Sequence, residues 1–311
     1  MLVFSTCWNS HRHQDGEAMI DEILSLGFDH VELSHGIKVS LLPGIMKAVE
    51  AGRVKVAGVH NYFPAPIDEM GDSPDNRPFT ADLPQVRSRA VELTRKSIEQ
   101  GAALGARYIV LHLGTVEPLV RRTDTAKLQN LAREGKVATQ EFAALKGEFV
   151  RRRNRMAPVY LERARDAVTQ LLPHAAQFGV KLGLEGRSHY EQVPSEDEME
   201  ALQHEWAEEP FVGYWHDFGH IQRKHHLLIA NHEQLIKRLA PYLIGAHVND
   251  VKWPARDHQA PLIGGNVPFD RLLPYFPVGI PLVWELSGRV QAEQIREARV
   301  LWQERFSQTL A

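Results

Sequence analysis

The chain has 311 residues, 43% hydrophobic and 24% charged, with 36 Lys and Arg against 39 Asp and Glu for a formal charge of −3. That balance belongs to a globular protein with a sizeable core, and the charge gives no global attraction for nucleic acid or an anionic membrane, so a small-molecule partner is expected. No apolar stretch approaches the roughly 18 residues of a membrane-spanning helix. The single cysteine, Cys7, forms no intrachain disulfide, and the start MLVFSTCW lacks the charged and long apolar regions of a secretory signal; a cytoplasmic location is expected. The length suits one α/β barrel domain over residues 1–311 better than two domains, and a homo-oligomer is compatible with it.

In chain order, eight short apolar runs rich in β-branched residues alternate with segments of helical apolar spacing, the signature of βα units around a parallel sheet. They lie at Leu2 to Cys7, His30 to Ser34, Val54 to Asn61, Arg107 to Leu113, Val180 to Glu185, Val212 to Asp217, Leu243 to Val248 and Pro281 to Leu286. Eight units predict a closed (β/α)8 TIM barrel. Gly27, Gly105 and Gly179 each stand between a helical pattern and a strand, where a left-handed C-cap is needed. Ser195-Glu-Asp-Glu198 reads as a capping box at a helix start. Two connections are too long for simple βα loops: Tyr62 to Gln85, rich in Pro, Asp and Gly, and Gly114 to Gly179 after strand 4, which holds two helical patterns. Both are candidate lids, and the second is alternatively a dimer interface. Within it, Arg151-Arg-Arg-Asn-Arg155 is read as a solvated helix face rather than a phosphate grip.

Catalytic groups of such barrels sit at the C-terminal ends of the strands, where side chains converge on one mouth. Those ends carry Glu32, His60, His112, Glu185, Asp217, His247 and Glu285, leaving only the first strand, ending at Cys7-Trp8-Asn9, without a carboxylate or imidazole. Acidic residues and histidine are about 18% of the chain, so a two-residue window holds one by chance only about a third of the time. Seven of eight is a signal that no single residue provides. Glu185, Asp217, His247 and Glu285, on strands five to eight, combine three carboxylates with one imidazole. Such a set suits Mn, Co, Mg or Zn, and three carboxylates packed together need a cation to offset their repulsion. One divalent ion is expected there, with room for a second or third. His220, three residues after Asp217, and the pair Asn249-Asp250 are within reach of the mouth, as are Arg256-Asp257-His258 and the turn Gly264-Gly265-Asn266.

The segments VGYWHDFGHIQ, IGAHVNDVK followed by DHQAPLIGGN, LGLEGR and LVWELSGR resemble the corresponding strands of the xylose-isomerase-like barrels, the superfamily that includes the sugar phosphate isomerase/epimerase family, inosose dehydratases and endonuclease IV. The resemblance runs from STCWN to the last helix and is weakest over Gly114 to Gly179. It implies that Glu185, Asp217, His247 and Glu285 are the metal ligands of a sugar isomerase or epimerase, with Glu185 and Glu285 also moving the proton. It further implies that His220 contacts substrate hydroxyls and that Arg256 falls near a substrate-binding arginine. His60, His112, Arg187 and His258 complete the expected substrate contacts. The chemistry fits: a metal on two adjacent sugar oxygens stabilises an enediolate, and returning the proton to the other face epimerises, to the neighbouring carbon isomerises, while loss of a hydroxyl dehydrates.

The resemblance also admits an endonuclease IV-like phosphodiesterase with three zinc ions, for which His60, His112, His220 and the Asp257-His258 pair supply further matches. The pair departs from that branch's Asp-x-His, and outside residues 151–155 no dense basic stretch stands near a strand end to meet a duplex. Sugar chemistry is the preferred expectation, and nucleic acid is not an expected partner. Trp8, Trp215, Trp253 and Trp284 flank strand ends as sugar-stacking or packing residues, and Arg187 and Arg289 follow ligand glutamates as carboxylate orienters or anion contacts. His189 and Tyr190 are left unassigned.

Overall fold

A computed structural model describes residues 1–67, 73–120, 123–254 and 256–306. Eight parallel strands close into a barrel: β1 (Leu2–Ser5), β2 (His30–Leu33), β3 (Lys55–His60), β4 (Tyr108–Leu111), β5 (Lys181–Glu185), β6 (Val212–Asp217), β7 (Leu243–Val248) and β8 (Leu282–Trp284). Each strand pairs with its sequence neighbours, and β8 pairs with β1 to complete the ring. The eight strands fall inside the runs expected from the sequence; β6 and β7 match them end to end and the other six are shorter. The first run stops early because Ser5 caps a 3-10 turn over Thr6–Trp8, its hydroxyl accepting from the Cys7 amide.

The helices form where local chemistry satisfies their free ends. Asp15 accepts from the Glu17 and Ala18 amides at the start of Gly16–Ser25, and the Ser195 capping box opens Glu196–Glu205. Gly27, Gly105 and Gly179 hold φ of 87°, 92° and 66°, the left-handed turn from helix to strand. The long insertion after β4 contains a helix at Asp124–Arg133 and then α-helix Gln140–Phe178, 39 residues that also form the barrel helix between β4 and β5. Residues 68–72 and 121–122, in the two expected lid segments, lie outside the described residues.

Inside the barrel, Tyr108 and Trp215 fill the lumen with rings 4.4 Å apart. Their bulk is admitted by glycine on the neighbouring strands: a Cβ on Gly58 would meet Tyr108 at 2.2 Å and one on Gly245 would meet Trp215 at 2.1 Å. Trp8, Trp215 and Trp284 are all buried in the cores. This corrects the sugar-stacking alternative for these three; only Trp253 stays partly exposed, stacked on His226 with ring centroids 4.9 Å apart. The arginine run 151–155 is likewise no plain solvated face. Arg153 is buried, forms an ion pair with Glu198 and donates to the Tyr190 and Gln192 carbonyls, while Arg152 donates to Asp124. These contacts fasten helix Gln140–Phe178 to the chain that leaves β5.

Candidate metal centre and substrate pocket

The strand register brings the acidic ends together: Asp217 pairs with His247, and Glu185 with Trp215, two residues before Asp217. Glu185 closes β5, Asp217 closes β6, His247 is the penultimate residue of β7, and Glu285 follows β8. Donor atoms of these four residues all lie within 4.8 Å of one another. His247 Nδ1 is 2.9 Å from Glu185 Oε1, 3.3 Å from Glu285 Oε2 and 3.8 Å from Asp217 Oδ2. Ligands that share an ion at about 2.1 Å stand about 3 Å apart when they subtend a right angle, so this spacing fits one divalent cation. The donor chemistry fits as well, since all four side chains are buried, Glu285 being the most exposed at 7%.

Electrostatics point the same way. Burial pushes the Asp217 carboxyl up to about 7, with Glu185 and Glu285 adding to the rise against His258 and His247. Burial opposes the charged form of His247, but Glu285 and Glu32 outweigh it and hold that imidazole well above its ordinary value. Without a cation the cluster takes up protons; a divalent ion removes that need. His247 Nε2 lies 3.1 Å from Glu32 Oε1, so Glu32, at a register shift of β2, holds the ring from beneath while Nδ1 faces the other carboxylates. Asn249 Nδ2 donates to Asp217 Oδ2 at 3.1 Å, and the His220 amide donates to Asp217 Oδ1 at 2.7 Å, because Asp217 is also the N-cap of helix Phe218–His226. Asp250, in contrast, turns away and accepts the amides of Val251, Leu262 and Val267. In the turn Gly264-Gly265-Asn266, Asn266 holds the Trp253 amide and a Cβ on Gly265 would strike Asp250, so this turn braces the β7 loop.

Above the cluster opens a cavity of about 640 Å³. His60, His112, Arg187, His220, Arg256 and His258 all line it together with Glu185 and Glu285, so the expected substrate contacts are brought to one mouth. Asp217 and His247 sit beneath and do not line it. His60 Nδ1 is 3.0 Å from the Asn61 carbonyl, His220 Nδ1 3.2 Å from the Gly186 carbonyl and His258 Nδ1 3.1 Å from the Glu285 carbonyl. Each such bond, made by Nδ1–H, leaves Nε2 as an acceptor. Arg289 lines the outer rim with Lys252 and Arg256. Asp257 pairs with Arg223, and His189 lines a neighbouring cleft instead.

Arg187 is buried at 4% exposure. Its Nη1 donates to Glu185 Oε2 at 2.6 Å and lies against His112 Nε2, while Nη2 donates to Asp75 Oδ2 at 2.9 Å. Burial alone would raise the Glu185 carboxyl, yet His112 and Arg187 beside it hold it well below the usual carboxylate range. Asp75, in the turn Pro74–Asn76, also meets His112 Nδ1 at 3.0 Å. Sequence reasoning missed Asp75, which sits in a Pro-rich segment with no periodicity, and it gave Glu32 no role although it stands at a strand end.

A model of the xylose isomerase-like TIM barrel matches residues 20–276. The chain belongs to the xylose isomerase-like TIM barrel family. Solved members of this fold superpose over nearly the whole chain: a D-tagatose 3-epimerase-like protein with TM-score 0.65 and 16% identity, covering 97% of this chain and 96% of that one. A 3-keto-D-glucoside 4-epimerase from E. coli has TM-score 0.65 and 13% identity over 97% and 98% of the two chains. An L-ribulose 3-epimerase gives 0.61 and 15% over 99% and 89%. At these identities the likeness speaks for the xylose isomerase-like fold. A comparison of the sequence with curated proteins finds no match. Among the described residues, no helix is long and apolar enough to cross a membrane.

Proposed function

We propose that this protein is a metal-dependent sugar isomerase or epimerase that moves a proton next to a carbonyl. The observation that carries the proposal is the buried Glu185, Asp217, His247 and Glu285 group at the floor of a cavity lined by imidazoles and cations. The cavity holds a small polyol, keto-sugar or inositol derivative, and the superposable epimerases support that substrate class. Glu185, Asp217, His247 and Glu285 would hold a divalent ion, which would supply Lewis acidity toward the substrate carbonyl. Glu185 and Glu285 are the proton carriers: one carboxylate takes the proton and the other returns it. Arg187 and His112 keep Glu185 ionised, and Arg187 fixes its Oε2 while Oε1 faces the centre. His60, His220 and His258 meet substrate hydroxyls, and Arg256 with Lys252 and Arg289 meets the outer end of the substrate.

A phosphodiesterase is the second reading, because two more groups of ligand-type side chains, His60, His112 and Glu185, and Asp217, His220 and His258, adjoin the first. Against it stand the net charge of −3 and the engagement of Asp257 by the Arg223 guanidinium. The experiment that separates the two is incubation of the metal-loaded protein with ketoses, inositol ketones and oxidised glycosides in deuterated water, beside an abasic-site duplex. Deuterium uptake at one carbon supports the proposal and names the proton that moves; an inverted centre, a shifted carbonyl or a lost hydroxyl in the product distinguishes epimerase, isomerase and dehydratase. Strand cleavage with no deuterium uptake from any sugar would overturn it.

A further inference from the structure

Donor atoms of His60, His112 and Glu185 lie within 4.8 Å of one another, a second ligand-type group that shares Glu185 with the four-residue centre. A carboxylate can bridge two ions by giving one oxygen to each. Glu185 is divided in just that way: Oε1 stands 2.9 Å from His247 Nδ1 in the four-residue centre, and Oε2 faces His112 Nε2 at 2.7 Å. Where a second ion would contact Oε2 and that imidazole nitrogen, the chain places a guanidinium. Arg187 Nη1 lies 2.6 Å from Glu185 Oε2 and against His112 Nε2. Nη2 reaches Asp75 at 2.9 Å, so the cation is held between a carboxylate from β5 and one from the turn after β3.

We propose that Arg187 is a resident cation that fills the place of a second divalent ion and holds this centre to a single metal. The proposal rests on the four-residue group being a metal centre. Its chemical consequence follows from what a guanidinium lacks. It brings one delocalised positive charge and fixed donors, whereas a divalent ion brings two charges and an open position at which water is bound and acidified. A cluster of ions cleaves phosphodiesters through that activated water. With Arg187 in place, the side of Glu185 facing His60 and His112 offers hydrogen-bond donors to substrate oxygens and no hydrolytic water. Arg187 therefore sets which reactions the scaffold supports, and Asp75 is the positioning residue that fixes the guanidinium.

The test strips the full-length protein with chelator, reloads it with excess Mn(II), removes free ion by gel filtration, and counts metal per chain by mass spectrometry. Electron paramagnetic resonance in parallel reports spin coupling between ions about 3.5–4 Å apart. The expected result is one uncoupled ion in the wild type and in Arg187→Lys, two coupled ions in Arg187→Ala, and a return to one in Arg187→Ala with His112→Ala. Should Arg187→Ala fail to fold by circular dichroism, Arg187→Ala with Asp75→Asn removes both charges of the pair, with the same two ions expected. Two ions in the wild type, or one in a folded Arg187→Ala protein, would overturn the proposal while leaving the metal centre standing. No ion in the wild type would instead remove the metal centre, and the proposal with it.

Discussion

His247 is held from two sides, with Nδ1 among the carboxylates of Glu185 and Glu285 and Nε2 on Glu32. An outer carboxylate of this kind fixes ring orientation and basicity, so Glu32→Gln is expected to weaken Mn(II) binding by roughly 10- to 100-fold, read by calorimetry. Unchanged affinity would assign Glu32 to packing alone. The proton load of the site gives a second expectation. A cation must displace the proton that Asp217 holds below about pH 7 and the one that the surrounding carboxylates keep on His247. Metal affinity therefore rises with pH, by about tenfold per unit for each displaced proton below its pKa, and titrations at pH 6 and pH 8 read the slope; a flat profile would contradict the proton competition. At this scale the convergence of Glu185, Asp217, His247 and Glu285 was legible because strand ends are where side chains meet, and chance does not fill seven of eight of them. Arg187 was legible only as a position near Glu185. What seals it there is Asp75, more than a hundred residues away in sequence, and no local pattern links the two.

The eight strands were legible in the alternation of apolar runs, since strands buried on both faces leave a continuous hydrophobic mark. The long helix after β4 was not, because Pro158 and Pro173 lie inside Gln140–Phe178 and proline ordinarily ends a helical pattern. Nor could the arginine run reveal that Arg153 points inward. Its guanidinium spans Glu198 and two carbonyls of the loop after β5, which carries chain from Glu185 to the next helix. Removing one member of a buried ion pair leaves the other unpaired, and Arg153→Ala is expected to destabilise the protein by about 3 kcal/mol. Thermal unfolding of the two proteins measures it; an unshifted midpoint would show that helix Gln140–Phe178 is fastened elsewhere. The tryptophans teach the converse lesson. Trp215 stands two residues before Asp217, yet a barrel lumen must be filled, and the glycines opposite it, Gly183 and Gly245, make it a core residue.

Across the whole molecule, a barrel scaffold brings four separate strand ends to one buried point beneath a single mouth. The net charge of −3 conceals an uneven distribution, with carboxylates at the floor and Lys252, Arg256 and Arg289 at the rim. The fold and the carboxylate–imidazole cluster were legible from composition, spacing and strand-end chemistry, whereas the seating of Arg187 depends on long-range contacts such as those of Asp75. The metal centre is the claim on which the functional account stands. Elemental analysis of the wild type beside Glu185→Gln with Glu285→Gln tests it most directly, with circular dichroism to establish folding. The account predicts a bound divalent ion in the wild type and its loss, with all deuterium uptake into sugars, in the folded double variant. Full metal content in that variant would contradict it.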